Sequence, residues 1–341
     1  MVTIKDVAKE AGVNPSTVSR VLKNSSSISQ KTKDRVQQAM TDLGYVPNLA
    51  AQMLASGLTH CVGVVFPPLT SPDRLSEPFF MEILAAINNE ASRNKFTVSI
   101  ATSNTLTDLK DQVQLMYRQG RVDGFIVLYS ERRDPVRQYL IKNKIPFVIV
   151  GAPVDYKDET TYVDNDNQLM AETAVTYLNQ KGHKQILFVT NDQESDVYIE
   201  RFIGYQKGMQ VLGLQSYDSA LFDSKQASTL EAFVKTVQKK KITALLIIGD
   251  VVSLRIIQFL SYYGIAVPED MSIVSFNNSS YATILHPYLT TFDINVNRLG
   301  RASLNCLLEK VQKRQSKDQK VIVPFTLKKR ESVRNLKKAR D

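Results

Sequence analysis

The sequence predicts an α/β protein with an N-terminal three-helix head, a short connecting helix and two doubly wound lobes with parallel sheets. Three observations lead there. Up to Gly44, apolar residues recur at helical spacing in short segments punctuated by glycine and proline. From Cys61 onward, β-branched apolar runs alternate with amphipathic stretches, the pattern of strands covered by helices on both faces. Those runs are too many for a single mononucleotide-type unit, and they divide near Tyr162.

The head follows from local chemistry. Thr3 suits an N-cap with Asp6 as its capping-box partner, and Ile4, Val7, Ala8 and Ala11 share one face of a first helix. Gly12 ends that helix, and Asn14-Pro15 restarts the chain as N-cap and first helical residue. In the second helix, from about Pro15 to Lys23, Val18, Val21 and Leu22 turn inward. Pro15, Ser16, Thr17, Ser19 and Arg20 are left outward at or near its N-terminal end, the end that a helix-turn-helix inserts into the major groove of DNA. A third helix follows Ser29, with Thr32, Val36, Ala39, Met40 and Leu43 as its stripe and Gly44 as its stop. Pro47 to Gly57 then makes a helix candidate of about two turns. Isolated helices below ~12 residues are marginal in water, so this one is expected to fold only when docked.

Beyond the head, the strand candidates are Val62–Phe66, Phe96–Ala101, Gly124–Tyr129, Phe147–Val150, Ile186–Thr190, Ala244–Ile248 and Ile273–Phe276. The predicted division is a DNA-binding head at 1–46, a connecting helix and linker at 47–60, an N-lobe at 61–161 plus 291–330, a C-lobe at 162–290 and a basic tail at 331–341. Thr290–Ile294 and Val321–Leu327 are expected to return the chain to the N-lobe.

Charge is distributed to match. Of the net +9, residues 1–60 carry seven basic and four acidic groups, residues 328–341 carry seven and two, and the remainder is close to neutral. A basic head suits phosphate contacts whose strength falls with salt, whereas the tail reads as a solvated end. The length of 341 residues and 43% apolar content allow several buried cores. With no signal-like N-terminus and no apolar run of eighteen residues, the expectation is a soluble, cytoplasmic protein without membrane partners. Cys61 and Cys306 show no metal or redox spacing and are expected as buried, reduced thiols.

Three stretches resemble one family closely: Val2-Thr-Ile-Lys-Asp-Val-Ala-Lys-Glu-Ala-Gly-Val13, Pro15-Ser-Thr-Val-Ser-Arg-Val-Leu22 and Leu43-Gly-Tyr-Val-Pro-Asn48. They look like the head of the lactose-repressor/galactose-repressor family of bacterial transcription regulators. The resemblance implies base contacts from Pro15, Ser16 and Arg20 and phosphate contacts from Thr17 and Ser19, with Thr3 counted beside them. Arg20 leads this set, since a guanidinium can donate two hydrogen bonds to guanine O6 and N7. It further implies that Pro47–Gly57 is a hinge helix that meets its symmetry mate in the minor groove, with Asn48, Ala51 and Leu54 on DNA and Leu54 as the wedge. Gln52 stands where many relatives have Arg.

Across the rest of the chain the resemblance implies lobes of periplasmic-binding-protein type with an effector between them. Ligands of open α/β sheets bind beyond the carboxyl ends of the strands. Phe79 and Phe80, after the first strand, match the family's aromatic helix start and could stack on a sugar ring or base; Arg201 matches its cleft arginine. Asn277 sits where many relatives have Asp, Asp250 follows Gly249 where they have Asn, and Tyr162 and Asp223 complete the candidates.

Competing classes fit less well. Asp164-Asn165-Asp166-Asn167 opens like a calcium loop, but Leu169 and Val175 occupy the positions that need Gly and Glu, so helix capping is the better account. No dinucleotide, nucleotide-triphosphate, serine-hydrolase or zinc-protease signature occurs, and His60, His183 and His286 are scattered, with His183 expected in a surface turn. No enzyme, cofactor or metal is expected, and a DNA-reading head does not belong on an exported binding protein. The expectation is a homodimeric repressor on a pseudo-palindromic operator, whose lobes shift when a small ligand binds. Gly249-Asp250-Val-Val-Ser and Phe276-Asn-Asn resemble the maltose-operon branch of the family, implying maltose or a maltodextrin as inducer. Another sugar, a purine corepressor or a phosphocarrier protein are the alternatives. The tail Val333–Asp341 has one leucine and no heptad, so no tetramer is indicated.

Overall fold

The computed structural model describes residues 2–22, 25–45, 57–68, 77–153, 155, 159–223, 225–284, 286–313 and 320–337. The chain separates into two compact units, residues 1–59 and 60–341.

In the first unit, helices α1 (Ile4–Glu10), α2 (Pro15–Leu22) and α3 (Gln30–Asp42) close on a core of Val7, Val18 and Val36, with Ala8, Ala11, Val21 and Ala39 around it. The Asp6 carboxylate accepts from the Thr3 N–H at 2.8 Å and from its hydroxyl at 2.7 Å, which anchors the start of α1. Gly12 and Gly44 take the left-handed conformation (φ +58° and +60°) that ends α1 and α3. Ser29 caps α3 by accepting from the Thr32 N–H.

The second unit holds, among the described residues, two six-stranded sheets. The N-lobe uses β1 (Cys61–Val65), α4 (Pro78–Arg93), β2 (Thr97–Ala101), α5 (Leu106–Arg118), β3 (Phe125–Val127), α6 (Pro135–Lys142), β4 (Phe147–Val150) and β5 (Tyr162–Asp164). The C-lobe uses α7 (Asn167–Gln180), β6 (Ile186–Thr190), α8 (Asp196–Val211), β7 (Ala220–Leu221), α9 (Ala227–Lys239), β8 (Ala244–Ile247), α10 (Asp250–Tyr262), β9 (Ser272–Asn277) and β10 (Thr290–Asp293). Helix α11 (Val296–Val311) packs on α4, and β11 (Lys320–Ile322) and β12 (Thr326–Lys328) follow. The N-lobe order is β11-β5-β4-β3-β1-β2, all parallel; the C-lobe order is β12-β10-β9-β8-β6-β7, parallel except for β12.

This topology corrects the predicted boundaries. β5 pairs with β4 and β11, so the N-lobe runs through Asp164 rather than ending at 161. β10 pairs with β9, so the C-lobe extends to Asp293; only α11 and β11 return to the N-lobe, and β12 belongs to the C-lobe. Strands of three residues, such as β5, β11 and β12, are too short to show a period in sequence. The chain thus crosses between lobes three times, and Asn165 ties the crossings together: its carboxamide donates to the Ile294 carbonyl at 3.1 Å and to the Val323 carbonyl at 2.8 Å.

The tail is also corrected. Residues 331–337 form a docked strap rather than a solvated end. Ser332 is buried, accepts from the Ile273 N–H at 2.7 Å through its carbonyl and from the Thr290 N–H at 2.8 Å through its hydroxyl, and donates to the Ile273 carbonyl. The strap also buries His183, whose ring lies 3.0 Å from the Thr243 hydroxyl and 3.1 Å from the Arg334 carbonyl; the expected surface turn is an interior contact. Counting charges treats every Arg as solvated, whereas Arg330 and Arg334 spend their donors on the Leu289 and Glu269 carbonyls. Cys306 is buried and Cys61 partly so.

Helices α7 and α8 approach closely at Gly204, where a Cβ would stand 2.2 Å from the Gln168 carbonyl oxygen. Arg201 lies one turn before that contact on α8 and Asn167 beside it on α7, so the glycine lets this hydrogen-bonded pair meet. Among the described residues no helix is long and apolar enough to cross a membrane.

Candidate functional site

The head presents its candidates as a surface. Pro15, Ser16, Arg20 and Thr3 are exposed and Thr17 and Ser19 half-buried, while Val18 and Val21 of the same helix are buried. Pro15, Ser16 and Arg20, flanked by the half-buried Thr17 and Ser19, therefore form an outward edge on α2, whose N-terminal backbone N–H groups and helix dipole favour phosphate. Asn48, Ala51 and Leu54 of the predicted hinge helix lie outside the described residues.

In the body, a cavity of about 560 Å³ lies between the lobes, within the roughly 300–1,000 Å³ of small-molecule sites. It opens where the sheets present their carboxyl ends: Leu128–Glu131 after β3, Val150 and Gly151 at β4, Asp164 and Asn165 at β5, Asn191 and Asp192 after β6, Ile248 and Gly249 after β8, and Asn277 at β9. Phe79 and Phe80 add an aromatic wall, edge to face at a centroid separation of 5.5 Å, with Phe66 packed behind Phe80.

Arg201 is 5% exposed. Its Nε donates to the Asn167 carboxamide oxygen at 2.9 Å and its Nη1 to the Ile248 carbonyl at 2.7 Å, while the guanidinium lies 4.2 Å from the Phe276 ring centroid. Burial draws its pKa down to about 10, against the opposing pull of Asp164, Glu77 and Asp250. The carboxylates respond in turn. Burial raises Asp164 to about 6 although it accepts from the Ala152 and Asn165 N–H groups, and raises Glu77 to about 7, helped by the negative charge of Asp250. Side-chain bonds join the lobes across this cavity: Ser130 Oγ donates to Asp196 at 2.6 Å, Asn277 Nδ2 donates to Glu77 at 3.3 Å, and Asn167 Nδ2 donates to Asp164 at 2.9 Å.

Of the seven effector candidates, Phe79, Phe80, Arg201 and Asn277 are brought together on the cavity. Three are not. Tyr162 is 4% exposed within the N-lobe core beside Val127 and Ile149, because it is the interior-facing start of β5. Asp223 closes the turn into α9, its carboxylate accepting from the Lys225 N–H and its backbone N–H donating to Thr229. Asp250 is fully buried and accepts from Ser275, Thr291 and both the N–H and hydroxyl of Ser279, so it knits the C-lobe from beneath. Sequence reasoning missed Glu77, Asp164, Asn165 and Asn167, which line the cavity. The last three fell inside the stretch set aside as a capping sequence; Asp166 does cap α7, accepting from the Leu169 N–H at 2.9 Å. Glu77 carried one signal, an acidic residue immediately before the Pro78 that opens α4.

A model of the lacI family of bacterial regulatory proteins matches residues 3–48, and a model of periplasmic binding protein-like domains matches residues 175–333. The chain is similar to the HTH-type transcriptional regulator MalR of Streptococcus pneumoniae serotype 4, 33% identical over 312 residues, which is 90% of this chain and 92% of that protein. Among solved structures it resembles the lac repressor dimer bound to operator and the anti-inducer ONPF, with a TM-score of 0.76 and 25% identity over 98% of this chain and 99% of that one. The transcriptional regulator CelR in complex with cellobiose matches at a TM-score of 0.74 and 25% identity, covering 97% of this chain and 100% of that one. With a helix-turn-helix edge on one unit, a cleft between two parallel-sheet lobes on the other and relatives matched over nearly its whole length, the chain belongs to the lacI family of bacterial regulatory proteins, which are DNA-binding transcription regulators and not enzymes.

Proposed function

We propose that this regulator is a homodimeric repressor of a carbohydrate-utilisation operon, induced by an uncharged sugar, maltose or a maltodextrin, in the inter-lobe cleft. The observation that carries the sugar reading is the chemistry of the cavity wall. An aromatic pair faces carboxylates and carboxamides from Glu77, Asp164, Asn165, Asn167 and Asn277, with Arg201 as the cationic group beside them. Such a wall accepts and donates hydrogen bonds to hydroxyls while one ring face covers the apolar side of a pyranose. A phosphate would meet four carboxylates, Glu77, Glu131, Asp164 and Asp192, against that one guanidinium. The likeness to the CelR–cellobiose complex and to a probable maltose operon transcriptional repressor supports the same ligand class.

On DNA, Arg20 and Ser16 read the major groove of each half-site, Pro15 adds apolar contact, and Thr3, Thr17 and Ser19 hold phosphates. Asn48, Ala51 and Leu54 act in the minor groove between the half-sites. Sugar in the cleft favours one arrangement of the lobes about the three crossings and weakens the other, a coupling of typically ~1–3 kcal/mol that is reciprocal between sugar and operator. The setting is the bacterial cytoplasm.

Gel shift of an operator fragment against maltose, maltotriose, other disaccharides, purines and sugar phosphates tests this. Release by maltose or maltotriose is expected. Tightening by a purine or a phosphorylated ligand would replace the inducer reading with corepression, and absence of DNA binding under every condition would remove the repressor reading itself.

A further inference from the structure

Glu77 is an N-lobe carboxylate set against the C-lobe. It precedes α4, and its hydrogen-bond partner across the cleft, Asn277, ends β9. The charged groups facing it are Asp250 at the start of α10, Arg201 on α8 and Glu82 from its own helix; Arg201 is in turn balanced by Asp164 on β5. A half-buried carboxylate of one lobe and a fully buried one of the other therefore act on each other's charge in the conformation described. Separating the lobes would let water between them and relieve both costs.

We propose that closure of the cleft is coupled to uptake of one proton at Glu77, making the lobe interface a proton-linked clasp whose closed form gains population as pH falls. The location of the proton follows from hydrogen bonding. Burial raises Asp250 as well, but four donors, Ser275, Thr291 and both groups of Ser279, oppose that shift, whereas Glu77 receives the single Asn277 bond at 3.3 Å. Burial, with Asp250 adding to it and Arg201 opposing, sets Glu77 at about 7, so the proton exchanges in the neutral range. For a group whose pKa is higher in the closed form than in the open one, closure is favoured at lower pH and disfavoured as pH rises through about 7. This rests on the reading of the cleft as a two-state effector site: a sugar that fits the closed form binds more tightly in acid, by at most about tenfold per pH unit for one proton.

The full chain without sugar tests the clasp. Nitroxide labels on Asn143→Cys in the N-lobe and Lys235→Cys in the C-lobe, both exposed sites, in a Cys61→Ser/Cys306→Ala background, report the inter-lobe distance by double electron–electron resonance at pH 6 and pH 8. A larger short-distance population at pH 6 is expected, lost in Glu77→Gln and retained in Glu82→Gln. Identical distributions at both pH values, or a pH shift that survives Glu77→Gln, overturns the proposal. Calorimetry with maltose is the second arm: tighter binding at pH 6 with net proton uptake is expected, and Glu77→Gln flattens both. Binding with no proton uptake overturns the clasp. No binding of maltose counts against the sugar assignment alone, leaving the distance measurement to decide the clasp.

Discussion

The head and the cleft place their chemistry in opposite ways. In the head, Pro15, Ser16, Thr17, Ser19 and Arg20 sit within six consecutive positions and point away from the Val7–Val18–Val36 core, in contact with water. In the cleft, Phe80, Asp164, Arg201 and Asn277 come from four separate elements; Arg201 and Asp164 are buried with opposed charges whose pKa values move toward neutrality. A surface that meets a polyanion needs only a rigid scaffold and exposed donors. A cavity that recognises a small neutral molecule needs desolvated groups held by their neighbours, so its residues are part of the lobe's stability as well as its specificity.

That contrast predicts that cleft substitutions perturb folding and response together, while head substitutions perturb binding alone. Arg201→Ala is expected to have the largest effect. Removing one member of a buried charge cluster costs about 3–5 kcal/mol, so the calorimetric transition of the body should fall by many degrees and sugar-dependent release should vanish, while operator binding without sugar persists wherever the body still folds. Equal stability with intact release would break the comparison.

Gly204→Ala probes the same pair at one remove. The added methyl meets the Gln168 backbone at 2.2 Å, and forcing α7 from α8 should cost about 1–3 kcal/mol and separate Arg201 from Asn167. The expected signature is a lower melting temperature with weakened sugar affinity, measured by scanning and titration calorimetry. Arg20→Ala should cost about 1–3 kcal/mol in discrimination between operator and random duplex, with the melting transition of the body unmoved. A drop in affinity equal for all duplexes would make Arg20 a phosphate contact instead.

The smallest expected effect is a slope. Asp164 titrates near 6 in the folded body, above its ordinary 3.8, so its contribution is present at low pH and is lost as pH rises through about 6. Thermal melts between pH 4 and pH 7 should show stability falling up to about pH 6 and levelling above it, and Asp164→Asn should reduce the slope.

Much of this was legible in the residues. The head was readable because its signals are local: the Thr3–Asp6 box, the left-handed glycines at 12 and 44 and the Ser29 cap each act within four positions. The longer strands were readable because buried parallel strands are continuous apolar runs, as in Phe147–Val150 and Ile186–Thr190. Within the cleft, Phe79, Phe80, Arg201 and Asn277 were reached through the strand-end rule and the family resemblance. Tyr162 and Asp250 were misplaced because lying near a strand end does not say which face a side chain takes.

The sequence by itself determined what depends on neighbours along the chain: the three helices of the head, its outward edge, the alternation that builds two parallel lobes, and the family. Only the tertiary structure decided what depends on neighbours across space: the three crossings tied by Asn165, the strap that buries His183, and the meeting of Glu77 with Asn277 and Asp250. The physical reason is that burial and Coulomb interaction act over ångströms of space regardless of chain separation. A carboxylate 200 positions from its partner is moved from its ordinary acidic range toward neutrality only after folding has buried it beside that partner.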